Sequence, residues 1–351
     1  MKKRVLVAPL NWGLGHATRC IPIINALIAN GFEPIIASDG VALALLQKEF
    51  PRLSSVELPS YNVTYSKNGK LFKLKLLLDS PKVLKAIKAE KKATKHIVDN
   101  NNISGIISDN RLGVYSKKIP SVFITHQLKV LSGNTTWIST KIHEKFIKKF
   151  DACWIPDVET TINLSGKIGH PDAFEIPTYY IGPLSRFEKK YAPILNDLMV
   201  LLSGPEPQRT LLEKKLLNEL KNYIGKVVFV KGTMEKEQTI QVMGNITIYN
   251  FMTTNLLEKT INESDLIISR SGYTTIMDLA KLNKKAFFIP TPGQFEQEYL
   301  ANRLTELKLA PSCTQDAFSL KHIKETVHFD GLKAFDFETD FEKLFCLFKG
   351  K

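Results

Sequence analysis

The sequence predicts an α/β protein made of two doubly wound domains, and three observations support this fold class. Short apolar runs of the kind that form buried parallel strands alternate with stretches in which apolar residues recur at helical spacing. The alternation starts at Val5, stops near residue 187 and begins again at Leu198. The length of 351 residues suits two domains, at roughly 150 residues for each.

Five strands and the helices between them are predicted in the first half. The first strand covers 5–10 and ends in a glycine turn, and the helix over 17–30 is closed by Gly31. The other four strands are expected at 34–38, 105–108, 122–125 and 152–155.

The second half repeats this pattern. Strands are predicted at 198–202, 227–230, 246–249, 266–269 and 286–289, with helices ending at Lys221 and covering about 254–263, 274–283 and 296–308. The Pro-containing stretch over 183–193 separates the halves, so we expect domains at 1–187 and 188–330. Residues 331–351 carry phenylalanines on one helical face, and we expect this segment to pack back on the N-terminal domain.

The net charge of +13 is concentrated in the first half, because residues 1–187 contribute +12 of it. The stretch 61–100 holds 10 Lys against 3 acids and mixes lysines with leucines. Two interpretations stay open: a solvated face beside a buried core, or a surface over 67–95 that binds an anionic membrane. No nucleic-acid-binding motif is present, so nucleic acid is not an expected partner.

The sequence predicts a cytoplasmic protein that can associate with the inner face of the plasma membrane. No apolar run reaches the roughly 18–20 residues that span a bilayer. The apolar run after Lys2-Lys3-Arg4 is shorter than the ~7–15 residues of a secretory signal. The four cysteines are far apart and suggest neither a zinc site nor a disulfide framework.

Candidate catalytic residues follow two strands of the first half. Gly13 and Gly15 form a turn that leads into a helix, and His16 in this turn is well placed to act as a general base. The turn is not a dinucleotide fingerprint, since Thr18 stands where the last glycine would be. Asp109, also after a strand, is the second candidate base.

Two further blocks follow strands of the second half. Residues 269–278 read SRSGYTTIMD, in which Asp278 lies in the helix and can accept the two hydroxyls of a ribose. Residues 290–299 read PTPGQFEQEY, a loop fixed by proline and glycine that opens the next helix with Gln297 and Glu298.

In their order along the chain these blocks resemble glycosyltransferase family 28. The RSG block with its later Gln is the most specific part, and GxGHxxR at 13–19, His126-Gln127, the segment 182–186, Ser203-Gly204 and Phe251-Met252 match in order. The resemblance implies the GT-B fold, in which two Rossmann-like domains face each other across a cleft.

The resemblance also implies the role of each matched residue. Asp278 would bind ribose, Gln297 and Glu298 the sugar, and Arg186 with Ser203 the diphosphate. The other implied donor-binding residues are Gly15, Gly204, Phe251, Met252, Arg270, Ser271, Gly272 and Thr274. On the acceptor side the resemblance points to His126 and Gln127, and Asn110 and Arg111, which follow a strand but have no counterpart in the family pattern, are predicted with them.

The sequence departs from the family pattern at three points. Asp278 stands where the family usually has Glu, and Gln297-Glu298 stands where it has a Gln-Gln pair. The family's His-Glu-x-Asn is replaced by His126-Gln127-Leu128-Lys129. The change to Gln297-Glu298 leaves the identity of the donor sugar open, and the change at 127–129 argues against the family's usual acceptor.

The predicted function is therefore a metal-independent, inverting transfer of a hexose, with N-acetylglucosamine as one candidate. The donor would be a UDP-sugar, without further cofactor, and the acceptor a hydroxyl group, free or carried on a polyprenyl or other lipid. Two alternatives stay open: a UDP-sugar epimerase of the same fold, and a nucleotide-sugar-binding subunit without its own activity.

Overall fold

The computed structural model describes residues 2–61, 72–171, 174–233, 235, 237–332 and 339–350, except for the side chains of 72–80. The chain divides into two compact units. The first contains the described residues up to Arg186 together with 339–350, and the second contains those from Phe187 to residue 332.

The first unit is built on a seven-stranded parallel sheet of order β3-β2-β1-β4-β5-β6-β7. Its strands are β1 (Arg4–Pro9), β2 (Glu33–Ser38), β3 (Ser55–Glu57), β4 (Ile103–Asp109), β5 (Ser121–Ile124), β6 (Ala152–Ile155) and β7 (Thr178–Tyr180). Its helices are α1 (Gly15–Ala29), α2 (Gly40–Glu49), α3 (Phe72–Asn100) and α4 (Thr136–Ile147).

The second unit is built on a six-stranded sheet of order β10-β11-β9-β8-β12-β13. Its strands are β8 (Asn196–Leu201), β9 (Val227–Val230), β10 (Ile240–Met243), β11 (Ile246–Tyr249), β12 (Ser264–Ser269) and β13 (Lys285–Phe288). Its helices are α5 (Gln208–Leu220), α6 (Thr254–Asn262), α7 (Tyr273–Lys281), α8 (Phe295–Glu306) and α9 (Leu320–Ile323).

The predicted α/β class is confirmed, and each predicted strand is present within two residues at either end. The sequence missed β3 and β7, which are only three residues long, and β10. β10 is antiparallel to β11 because the two residues Gly244 and Asn245 connect them as a hairpin. All four β10 side chains are exposed, so the strand lacks the apolar burial that marks the others.

The C-terminal residues pack on the first unit. Helix α10 (Phe341–Phe345) continues into a 3₁₀ turn (Cys346–Phe348). Phe345 and Phe348 are buried against Phe32 and Trp154, with ring centroids 5.8–6.5 Å apart. The ring of Phe348 lies where a side chain on Gly105 would be. Phe337, predicted on the same face, lies outside the described residues.

The strand register aligns the strand ends that carry the predicted functional residues. In the first unit Pro9 of β1 pairs with Asp109 of β4, which pairs with Ile124 of β5. In the second unit Leu201 of β8 and Phe288 of β13 both pair with Ser269 of β12. Because carboxyl ends of neighbouring parallel strands meet at one edge of a sheet, the loops that follow lie together in each unit.

Candidate active site

His16 and Asp109 form a contact at the carboxyl edge of the first sheet. His16 is the second residue of α1, and Asp109 is the last residue of β4. His16 Nδ1 lies 2.9 Å from Asp109 Oδ1. The two predicted bases are therefore one pair, in which the carboxylate faces one nitrogen of the imidazole.

Arg19, which the sequence analysis did not single out, completes this pair. Its Nε donates to Asp109 Oδ2 at 2.6 Å, its Nη2 donates to Oδ1, and Nη2 also lies 2.8 Å from His16 Nδ1. His16 and Arg19 are three residues apart on α1 and so share one face of the helix. That spacing was the signal in the sequence by which Arg19 could have been found.

The surroundings set the protonation of this cluster. Burial raises the pKa of Asp109, but the charges of Arg19 and His16 outweigh it and hold that pKa well below its ordinary value. Burial lowers the pKa of His16; Asp109 opposes this effect and Arg19 adds to it, and the net pKa is below the ordinary value. At neutral pH the cluster is thus a carboxylate, a guanidinium and a neutral imidazole.

The predicted acceptor residues His126 and Gln127 follow β5 at the same edge. His126 is buried, and its Nδ1 lies 3.4 Å from Arg19 Nη1. His143 of α4 hydrogen-bonds to the Gln127 backbone, and burial lowers the pKa of His143 to about 4. This arrangement joins the turn after β5 to α4.

Arg111, predicted to bind the acceptor, is a core residue, and this prediction is wrong. Its side chain is 0% exposed; Nη1 donates to Asp39 at 2.8 Å, and Nε donates to Glu90 at 2.7 Å. Asn110 between Asp109 and Arg111 has a φ of 58°, a left-handed conformation that asparagine tolerates. Asp109 therefore belongs to the cluster with His16 at the edge of the sheet. Arg111, only two residues later, belongs to the core, where it contacts the buried Asp39 and Glu90.

Three loops meet at the carboxyl edge of the second sheet, and hydrogen bonds join two of them. They are the phosphate-loop candidate Ser203-Gly204 after β8, residues 270–272 after β12, and residues 290–294 after β13. Ser271 Oγ donates to the Gln297 carbonyl at 2.8 Å. The Thr291 and Gly293 N–H groups donate to Gln297 Oε1 and Glu298 Oε1, both at 2.9 Å. The predicted sugar-binding pair therefore also shapes the loop that precedes it.

The N-termini of the helices after these loops differ in charge. At α5, Glu206 accepts from the Thr210 N–H at 3.3 Å, so a carboxylate already lies there. The first turn of α8 contains Glu296 and Glu298. The first turn of α7 contains no acid, no described side chain caps it, and beyond the neighbouring residues no described atom lies within 4 Å of the point where a Cβ would stand on Gly272. Of the three, α7 is the N-terminus best suited to an anion.

Arg270 does not present its guanidinium at this edge, and a direct role for its side chain in donor binding is not supported. It is 1% exposed, and it donates to the Ile289, Pro290 and Gln208 carbonyls at 3.2, 3.0 and 2.8 Å. Burial lowers its pKa to about 10. Arg270 holds the loop after β13 to the start of α5.

The backbone of Phe251, predicted with Met252 to hold the base, has side-chain partners in the structure. Its N–H donates to Asn250 Oδ1 at 2.9 Å, and its carbonyl accepts from Gln238 Nε2 at 2.8 Å. A base that used the N–H would have to displace the Asn250 amide, whereas the carbonyl oxygen has a second lone pair with which it can accept another hydrogen bond.

The remaining predicted residues lie near the strand ends. Gly15 is the first residue of α1, Thr274 lies in the first turn of α7, and Asp278 follows one turn later. Arg186 is the last residue of the first unit before the chain enters the second. Among the described residues, no group of three or more His, Cys, Asp or Glu could hold a metal ion.

The second half of the chain matches a known domain family. Residues 206–332 match the family described as the glycosyltransferase family 28 C-terminal domain. An uncharacterized glycosyltransferase of Methanopyrus kandleri is 23% identical over 333 residues, which are 90% of this chain and 91% of that protein. These matches confirm the resemblance that the RSG block indicated.

Two further similarities extend over most of the chain. The UDP-N-acetylglucosamine–N-acetylmuramyl-(pentapeptide) pyrophosphoryl-undecaprenol N-acetylglucosamine transferase of Glaesserella parasuis is 25% identical, over 91% of this chain and 87% of that protein. The crystal structure of MurG from Acinetobacter baumannii has a TM-score of 0.59 at 13% identity and covers 99% of both chains. The structural similarity identifies the fold as GT-B.

Proposed function

For this chain, a glycosyltransferase with the GT-B fold and a family 28 C-terminal domain, we propose inverting transfer of a hexose from a UDP-sugar to a hydroxyl acceptor. The observation that carries the proposal is the His16–Asp109 contact of 2.9 Å, with Asp109 buried and His16 partly exposed, at the carboxyl edge of the first sheet. The UDP-sugar named for the Glaesserella parasuis relative supports uridine as the nucleoside and N-acetylglucosamine as the first sugar to test.

In this proposal His16 is the general base and Asp109 orients it. Both Asp109 oxygens accept hydrogen bonds from Arg19, and the carboxylate is ionised. We assign the proton to His16 Nδ1, which then donates to Asp109 Oδ1, while Arg19 Nη2, 2.8 Å from the same nitrogen, donates to Asp109 and not to His16. Nε2 then keeps its lone pair for the acceptor proton. Asp109 is thereby a positioning residue that stabilises the imidazolium as it forms.

The reaction then balances in one displacement. The acceptor oxygen forms a bond to the anomeric carbon as the bond from that carbon to the diphosphate breaks, and the acceptor proton passes to His16 Nε2. Attack opposite the leaving group inverts the anomeric configuration. The products are the glycoside and UDP.

We place the diphosphate at the N-terminus of α7 and the sugar at the start of α8. The negatively charged diphosphate suits the N-terminus of α7, whose first turn has no acid. The sugar hydroxyls suit the polar side chains of Gln297 and Glu298 in the first turn of α8. Arg186 and the N–H groups near Ser203 and Gly204 would stabilise the charge of the leaving UDP, in place of a metal. Asp278, one turn further along α7, would accept the ribose hydroxyls.

Replacing Asp278 by alanine is expected to weaken UDP binding about tenfold or more, because a carboxylate that accepts hydroxyl groups makes charge-assisted hydrogen bonds. Calorimetric titration with UDP measures this effect. Wild-type affinity should be the same in EDTA as in Mg²⁺. Asp265→Ala is the matched control, since Asp265 is exposed and lies at the other end of β12. Equal UDP affinity of D278A and D265A would remove Asp278 from the donor site, and loss of UDP binding in EDTA would contradict the metal-free mechanism.

The acceptor we propose is lipid-linked, and α4 supplies the surface that supports this. Trp137, Ile138 and Ile142 are 64%, 41% and 54% exposed on one face of α4, with Lys141 and Lys145 among them. A groove of about 500 Å³ beside this face is lined by residues that include Leu128, Trp137 and Lys141. It begins next to His126-Gln127, where the acceptor is expected.

The predicted membrane surface over 67–95 lies partly outside the described residues. In the described part, six lysines of α3 are exposed: Lys82, Lys85, Lys88, Lys91, Lys92 and Lys95. Lys91 and Lys149 both lie against the ring of Tyr115, at 5.2 and 5.8 Å from its centroid. The α3 lysines thus adjoin those at the end of α4. No helix of the described part is long and apolar enough to cross a bilayer, and we propose reversible association with an anionic cytoplasmic membrane surface.

Vesicle co-sedimentation tests this association. The chain is expected to sediment with phosphatidylglycerol vesicles but not with neutral vesicles, and added salt should release it. Because each lysine near an anionic bilayer contributes on the order of 1 kcal/mol, Lys141→Glu with Lys145→Glu should weaken binding at least about tenfold. Lys214→Glu with Lys221→Glu, on the second unit, is the control of equal charge change. Equal sedimentation of both double variants would exclude α4 as the membrane surface.

A further inference from the structure

β10 is an outer strand of the second sheet, and no other described strand pairs with its free edge. Natural sheets protect such edges with very short strands, with lysine or proline, or with a covering segment. β3 and β7 have only three residues each, and the chain at 311–313 hydrogen-bonds to Phe288 of β13. β10 is longer, contains neither lysine nor proline, and lies in a stretch, 238–257, that has no charged residue. Its edge is therefore open to another strand.

The ladder between β10 and β11 determines which backbone groups of β10 face outward. The Asn250 N–H donates to the Thr239 carbonyl at 3.3 Å, so these two residues form a hydrogen-bonded pair. Because bonded and non-bonded pairs alternate along an antiparallel ladder, Gln241 is bonded to β11 as well, whereas Ile240 and Val242 are not. The N–H and C=O groups of Ile240 and Val242 therefore point away from the sheet.

The side chains along this edge are apolar. Ile240 and Val242 lie on the same face of β10 and are 56% and 73% exposed. At the tip of the hairpin, Asn245 Nδ2 donates to the Tyr223 carbonyl at 2.8 Å. This bond holds the next residue, Ile224, beside the tip, where it is 97% exposed. The edge thus offers free peptide groups and apolar side chains together, which are the two features that strand pairing uses.

We propose that β10 pairs antiparallel with β10 of a second copy of this chain, so that the two copies join their second sheets across a two-fold axis. An antiparallel strand is complementary to itself, and a two-fold interface uses the same surface on both copies. Charge favours this part of the chain, because residues 1–187 carry +12 of the net charge and repel a second copy, whereas 188–351 carry +1. The inference is independent of the proposed function.

The outward groups also determine the register of the two strands. Pairing Ile240 with Val242 of the second copy, and Val242 with Ile240 of that copy, gives every outward N–H and C=O group of these residues a partner. Gln241 then faces Gln241 of the second copy at the axis, in a pair without hydrogen bonds whose Cα atoms are about 4.5 Å apart. The Ile240 and Val242 side chains of both copies lie on one face of the joined sheet and cover one another.

Sedimentation equilibrium of the full chain tests the pairing. Wild type is expected to form a concentration-dependent dimer of twice the mass of one chain. Val242→Lys should raise the dissociation constant of the dimer at least about tenfold, because lysine on an edge strand opposes pairing. Val327→Lys is the matched control, since Val327 is 74% exposed on the same unit, and it should leave the dimer unchanged. Both variants should melt near wild type, because both positions are exposed.

Oxidative cross-linking tests the register. A disulfide requires Cα atoms about 4.4–6.8 Å apart, so Gln241→Cys should form a covalent dimer on mild oxidation. Met243→Cys, equally exposed on β10, would face Thr239 of the second copy and should not. Oxidised wild type measures the background from the exposed Cys346.

Three outcomes would overturn the inference. A wild type that stays monomeric at every concentration would show that β10 does not pair with itself. A dimer that V242K weakens no more than V327K would have its interface elsewhere on the chain. Equal cross-linking of Q241C and M243C would exclude the proposed register. If V242K does not fold, the comparison of the two cysteine variants decides.

Discussion

Replacing His16 by alanine is expected to lower kcat by about 10²–10⁴-fold, the usual contribution of a general base, and to leave UDP affinity nearly unchanged. The reason is that His16 Nε2 takes the acceptor proton, whereas Asp278 and the N-terminus of α7, to which we assign the nucleotide, belong to the other unit. Release of UDP from the UDP-sugar in the presence of acceptor measures kcat, and calorimetry measures UDP affinity. His96→Ala is the matched control, because His96 is exposed on α3. Full activity of H16A would show that His16 is not the base.

The dependence of kcat/KM on pH is a second test of His16 as the general base. The pKa of His16 lies below its ordinary value because burial disfavours the imidazolium. A base works only while it is unprotonated, so kcat/KM is expected to fall as pH decreases through this lowered pKa. The acidic limb of the profile should therefore lie at a lower pH than it would for a histidine with an ordinary pKa. Asp109→Asn should move the acidic limb to lower pH, because the Asp109 carboxylate raises the pKa of His16 against the effect of burial.

Replacing Arg111 by alanine is expected to reduce the free energy of unfolding of the first unit by about 3–5 kcal/mol, the cost of breaking a buried ion pair by removing one partner. Asp39 and Glu90 would stay buried without their cation. Glu90 also accepts from Tyr61 Oη at 2.6 Å and from the Gly113 N–H at 3.0 Å. These bonds hold the carboxylate in the core, so it cannot move to solvent.

Tryptophan fluorescence during urea unfolding measures this effect in the first unit alone, since Trp12, Trp137 and Trp154 all lie there. Arg52→Ala, at an exposed position, should stay within about 0.5 kcal/mol of wild type. Arg111→Met combined with Asp39→Asn and Glu90→Gln should recover part of the loss, because it leaves no buried charge. A change below 1 kcal/mol in R111A would mean that the network contributes little to stability.

The positions of the strands, and of the residues at their carboxyl ends, could be predicted because both depend on local patterns. A buried parallel strand is an apolar run of four to six residues, and the residues that follow it lie at the edge where ligands bind. His16 and Asp109 were found in this way, although they are 93 residues apart. Arg19 could have been found from its helical spacing to His16.

The roles of Arg111 and Arg270 could not be predicted from local patterns. Both arginines follow strands, as binding residues do, but their partners are remote in sequence: Asp39 and Glu90 for Arg111, and Gln315 for Arg270. Whether an arginine at a strand end faces solvent or the core depends on the residues packed above it.

The packing of Phe345 and Phe348 on the first unit determines the order in which the two units can be completed during synthesis. These residues come after the whole second unit in the chain, yet they cover Phe32, Trp154 and the backbone of Gly105. On the ribosome, the second unit is therefore synthesised in full before the first has its last core residues. Until then, an apolar surface made of residues from β4, β6 and the loop before β2 remains open to water. The half of the molecule that is made first is the half that finishes folding last.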